Sequence, residues 1–86
     1  MKLKVYAVFD TAIEAFMQPF FMQARGAALR AFGEIAADKQ HAIGKSPQDY
    51  CLFELGSWDD ATGKFEMHQA PISLGLAIEL ANKVSV

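Results

Sequence analysis

Eighty-six residues and 9.5 kDa leave room for one domain, residues 1–86, because two halves of that length could not each bury a core. A net charge of −2 with 21% charged residues excludes both a disordered chain and a generic polycation. Hydrophobic residues make up 52%, but 14 of them are alanine, so 31 larger side chains must build the core and oligomerisation is an expected remedy for marginal stability.

The first ten residues alternate. Leu3, Val5, Ala7 and Phe9 point one way and are expected to be the buried face; Lys2, Lys4, Tyr6, Val8 and Asp10 point the other. Asp10-Thr11-Ala12 breaks this strand. The stretch from Glu14 to Gln23 holds Phe16, Met17, Phe20, Phe21 and Met22 around Pro19, which suits an irregular edge strand paired with the first. From Arg25 to about Lys39, Leu29, Phe32, Ile35 and Ala36 recur at helical spacing among helix-favouring alanines. Gly26 and Gly33 within that helix suggest close packing on the sheet. Residues 40–49 read as a surface loop.

Tyr50 to Gly56 is expected to be a strand, with Cys51, Phe53 and Leu55 on one face and Leu52 and Glu54 on the other. Trp58 and the run Asp59-Asp60-Ala61-Thr62-Gly63 lead into Lys64–His68, a hairpin whose glycine supplies positive φ. Pro71 closes it. Ser73 is a candidate N-cap for a last helix running to about Lys83, with Leu74, Ala77, Ile78 and Ala81 as its buried stripe. The order ββαββα predicts a small α+β domain, a four-stranded antiparallel sheet with two helices on one face.

Catalytic chemistry finds little footing, and the chain is expected to be non-enzymatic. His41, His68 and Cys51 lack any zinc-ligand spacing, so neither metal nor cofactor is expected. Cys51 on an apolar strand face reads as a small hydrophobe rather than a nucleophile paired with His68. Asp59 and Asp60 before a glycine read as a solvated turn rather than a carboxylate pair. A single cysteine excludes an internal disulfide framework and suits a reducing compartment. No apolar run approaches the ~20 residues of a membrane span, and the opening Met-Lys-Leu-Lys gives no sign of a signal peptide.

Charge is segregated: residues 1–45 sum to +2 and residues 46–86 to −4. Lys2 and Lys4 with Tyr6 put two cations and a ring on one expected solvent face, the combination that grips single-stranded nucleic acid. Lysines at alternate positions also serve simply to keep a strand edge from aggregating, and a pI near 5.5 lacks the usual basic footprint. In the last helix, Leu76, Leu80 and Val84 form a second apolar row, an expected dimer interface.

The segments MKLKVYAVFD, PFFMQARGAALRAF (Pro19–Phe32), DYCLFELGSWDDATGKFE (Asp49–Glu66) and PISLGLAIEL (Pro71–Leu80) resemble, in order and spacing, the small nonstructural protein of gokushoviruses, single-stranded DNA phages of the Microviridae. The resemblance covers nearly the whole chain. It implies a DNA-binding or replication-associated protein, one that moves synthesis from duplex copying to single-stranded genome production and packaging, acting in the host cytoplasm. It carries over no catalytic residues. Where this chain has Leu76 the family pattern more often has a charged residue, so the partner-helix argument belongs to this chain alone. Joined to the residue pattern, the expectation is single-stranded DNA bound by Lys2, Lys4, Arg25, Arg30 and Lys64 at phosphates and by Tyr6, Phe21 and Trp58 through stacking. The rival is a protein-interaction module whose acidic half docks on a phage or host replication factor.

Overall fold

The computed structural model describes the backbone of residues 1–84 and the side chains of residues 1–81. Its elements are β1 (Lys2–Asp10), β2 (Ala15–Phe16), β3 (Phe20–Met22), α1 (Arg25–Ala37), α2 (Ala42–Lys45), a 3-10 turn at Pro47–Asp49, β4 (Tyr50–Asp59), β5 (Lys64–Leu76) and α3 (Ala77–Val84). This is the expected α+β architecture: one antiparallel sheet in the order β2-β1-β4-β5, with β3 also pairing β1. The irregular edge strand predicted around Pro19 is two short pieces, β2 and β3, both antiparallel to β1 and separated by residues 17–19.

Alternation in β1 is present, but its buried face is inverted. The helices cover Tyr6 and Val8, which join Leu52, Ala28, Phe32, Ala36, Ile43, Ala77 and Leu80 in the core. Tyr6, expected in solvent, is wholly buried and stacks on Phe20 with ring centres 5.7 Å apart. Val5 and Ala7 on the other face are buried as well, since bulky cross-strand neighbours, Phe21 and Phe53, shield these small side chains. A period of two separates two faces; it does not say which one the helices take when both hold apolar groups.

Three further expectations change. Gly26 meets no heavy atom within 4 Å of where a Cβ would stand, so close packing on the sheet does not explain it. The loop 40–49 contains α2, capped by the His41 ring, whose Nδ1 accepts from the Ile43 amide at 3.1 Å. The strand after the hairpin continues beyond Pro71 to Leu76: Ser73 pairs with Phe53 rather than capping a helix. Instead Glu79 reaches back to accept the Leu76 amide at 2.9 Å, half of a capping box.

This longer strand removes the expected dimer row. Leu76 lies on β5, and Leu80 is a core residue packed under α1. Val84 lies outside the residues whose side chains are described. Within α3 the inner stripe is Ala77, Leu80 and Ala81, at spacings of three and four, and Ile78, expected to be buried, is exposed.

Two glycines shape the β4–β5 ribbon. Gly63 sits at φ +73° and closes the turn by donating its amide to the Asp59 carbonyl at 2.7 Å, as its place in the sequence predicts. At Gly56 the strands approach so closely that a Cβ would meet the Glu66 carbonyl oxygen and stand 2.7 Å from the Met67 Cα. Beside it four residues, His68 to Pro71, oppose the single Leu55, a bulge that bends the edge strand and blunts it against edge-to-edge pairing. Urea unfolding is expected to show Gly63→Val costing about 1–2 kcal/mol through φ alone. Gly56→Ala should cost about 1–3 kcal/mol by overpacking. Equal stability of Gly56→Ala and wild type would contradict the close approach.

Candidate nucleic-acid interface

Directly opposed residues of an antiparallel pair share a face, so the register fixes what the side of the sheet away from the helices carries. Leu3 opposes Trp58, Trp58 opposes Phe65, and Val5 opposes Phe21. Three rings therefore meet around Leu3 and Val5. Phe21 and Trp58 have centroids 5.4 Å apart at 61°; Phe65 lies 6.2 Å from both. Phe21 and Phe65 are 41% and 54% exposed and Trp58 is half-buried, so ring surface faces solvent. A second cluster, Phe9, Phe16 and Phe53, occupies the other end of the same face, with centroids 4.9 to 6.3 Å apart. Leu3 and Phe9 are six residues apart on β1, about 20 Å.

Behind the first cluster, on the helix side, stands a buried acid. Glu54 opposes Tyr6 and is 3% exposed. One carboxylate oxygen, Oε1, accepts from Arg25 Nε at 3.1 Å and has Lys4 Nζ at 4.0 Å; the other, Oε2, is 2.8 Å from His68 Nε2. Burial pushes this carboxyl upward, but the hydrogen bonds from Arg25 and His68 and the charges of Arg25 and Lys4 more than offset that, holding it below its ordinary value. Burial next to Glu54 raises the Tyr6 phenol, a shift Arg25 partly opposes, and its hydroxyl has no hydrogen-bond partner among the described residues.

The expected DNA-binding set thus divides. Phe21 and Trp58 come together on the outer face, while Tyr6 is core and offers no stacking surface. Lys4 and Arg25 converge on Glu54 on the opposite side. Lys2 pairs with Glu66 at 3.8 Å at the ring end of the sheet but, like Lys4, on the side of the helices. Lys64, opposite Asp59 and so on the same side of the sheet as Lys2, precedes Phe65 in the strand and makes no ion pair among the described residues. Arg30 points away on α1, bonded to Glu34 at 3.4 Å, and is not part of this constellation. Asp59 and Asp60 are occupied by the amino terminus, which lies 2.8 Å from Asp60 Oδ1 and 3.8 Å from Asp59 Oδ1.

Three residues escaped the sequence reading. Phe65 was accessible by counting back across the hairpin, since Trp58 and Phe65 flank the Asp59–Lys64 pair. Glu54 gave one weak sign, an acid in phase with Leu52. His68 gave none, because the bulge that turns it toward Glu54 is a tertiary feature.

A family model described as Phage ORF5 protein matches residues 3–80. The chain belongs to this phage protein family. Neither curated proteins nor solved structures give a match. Membership fixes a phage origin for this sheet and its rings; the gokushovirus resemblance is a finer statement than the match itself.

Because the folded-state carboxyl of Glu54 is depressed, its contribution is present above its ordinary value of 4.5 and is lost as pH falls through the folded value. Wild-type stability should therefore decline below about pH 4.5, with a shallower decline in Glu54→Gln. At pH 7 that variant should lose about 1–3 kcal/mol, held to the low end by the partial exposure of Arg25, Lys4 and His68. Denaturant midpoints from pH 3 to 7 test both, and parallel pH profiles would contradict the assignment.

Proposed function

We propose that this chain is a non-enzymatic, nonstructural phage protein that binds single-stranded DNA on the outer face of its sheet. The observation that carries the reading is the half-open cluster of Phe21, Trp58 and Phe65 on that face, with Lys2 and Lys64 at the same end of the sheet but on its other side, next along their strands to Leu3 and Phe65. Bases stack on such rings without regard to sequence, and the phosphates of a strand that passes the end of the sheet meet the two lysines there. With net charge −2 the long-range field gives no help, so the contacts must be local and the dependence on salt moderate. The gokushovirus resemblance adds the setting: host cytoplasm, and the shift from duplex replication to single-stranded genome synthesis and packaging.

A second reading rests on the other end of the face. Phe9, Phe16 and Phe53 lie near exposed Ile13 and Met17, and the charged residues in the adjoining β1–β2 turn are the acids Asp10 and Glu14. Phosphates find no counter-charge in that turn, so this end suits a protein, either a replication factor or a second copy of the chain.

Trp58 is the sole tryptophan and reports directly on its own site. Titration with a labelled oligothymidine should quench its emission, with a log–log salt slope of roughly −1.4 to −2 for two or three phosphate contacts. Phe65→Ala should weaken binding about tenfold or more. Phe16→Ser should leave it unchanged. Absence of binding at about 50 mM salt contradicts the proposal. Sedimentation separates the second reading's two partners, since a second copy doubles the 9.5 kDa mass.

A further inference from the structure

The polar cluster on the helix side is built with its acid inside and its bases outside. The Glu54 side chain is 5% exposed, whereas Lys4, Arg25 and His68 are 44%, 47% and 36% exposed. Lys4 and Arg25 against Glu54 leave an excess positive charge even with His68 neutral. Glu54 engages Arg25 through Nε, which orients the guanidinium and leaves its two terminal nitrogens for another acceptor. Arg25 is also the first residue of α1, where a cation opposes the helix dipole and is unfavourable unless something else compensates.

The same helix end lacks its own caps. Ala24 supplies no side-chain acceptor and the first turn holds no acid, so among the described residues no side chain caps the leading amides. Gly26 leaves the approach open. A further donor without a partner among the described residues lies behind: the Tyr6 hydroxyl, buried and close enough to Glu54 and Arg25 to feel both charges. Unmet donors and surplus positive charge at one place call for an anion.

We propose that Lys4, Arg25 and His68, with the first amides of α1, form a seat for a phosphate group, ordered from behind by Glu54. The seat stands on the geometry alone; that the phosphate belongs to a nucleic-acid strand rests on the single-stranded DNA reading.

The test uses the full chain labelled with nitrogen-15, titrated with inorganic phosphate at ionic strength held constant with chloride. Saturable shifts are expected at the amides of Arg25, Gly26 and Ala27 and at the His68 ring. Lys4→Gln and Arg25→Gln should weaken the affinity at least tenfold, and Arg30→Gln should not. Should Arg25→Gln disturb the fold through its tie to Glu54, Lys4→Gln decides alone. Shifts that never saturate, or that weaken equally in Arg30→Gln, mean an adventitious ion only and overturn the seat. Oligonucleotides with and without a 5′-phosphate then identify the source: preference for the phosphorylated strand marks a terminal phosphate, and equal binding lost in Lys4→Gln marks an internal one. Phosphate binding without any oligonucleotide binding keeps the seat and removes the DNA reading. Oligonucleotide binding unaltered by Lys4→Gln, with no phosphate binding, does the reverse.

Discussion

A carboxylate buried under a helix holds this small domain in register. Glu54 receives Arg25 from the start of α1, His68 from the bulge of β5 and the charge of Lys4 from β1, so one side chain of β4 ties three other elements. Removing one partner of a buried ion pair costs more than the pair itself contributes, because a desolvated charge remains. The arrangement therefore specifies geometry more than it adds stability. It joins the start of α1, the bulge of β5 and the middle of β1 on the side of the sheet that receives the helices.

That choice of side decides what remains for function. With Tyr6, Val8 and Leu52 under the helices, the rings of β1, β3, β4 and β5 are left on a face that none of the described elements covers. Antiparallel sheets ordinarily present polar residues on such a face. Here its two ends carry aromatic clusters, one at the end where Lys2 and Lys64 lie on the reverse side, the other next to the turn that holds Asp10 and Glu14. The exposed aromatic surface is what an 86-residue chain of this composition gives up from its core, which rests largely on alanine, Tyr6, Phe32 and Leu52.

Legibility in the sequence followed the range of the interactions. The β1 alternation, the irregular strand around Pro19, the α1 periodicity and the positive φ of Gly63 are local and could be read directly. What stayed hidden depended on tertiary context. Tyr6 between lysines looks solvent-facing until Phe20 and the helices are placed over it. Ser73 looks like a cap because Pro71 suggests a strand end, yet the β4 partner extends pairing to Leu76. In the candidate site, Phe21, Trp58, Lys2 and Lys64 were visible as rings and cations, and pairing register gathers the rings on one side of the sheet and the two lysines at the same end on the other. Glu54 and His68, which organise the other basic residues, meet only through a bulge that no local pattern announces.

The division of the sheet into a framework side and a binding side is tested most directly by aromatic-proton NMR of the full chain with a short single-stranded oligonucleotide. Ring resonances of Phe21, Trp58 and Phe65 should shift and show contacts to base protons, while those of Phe20 and Phe32 hold still. Shifts confined to the helix side, or shifts at Phe9, Phe16 and Phe53 with none at Trp58, would contradict the account.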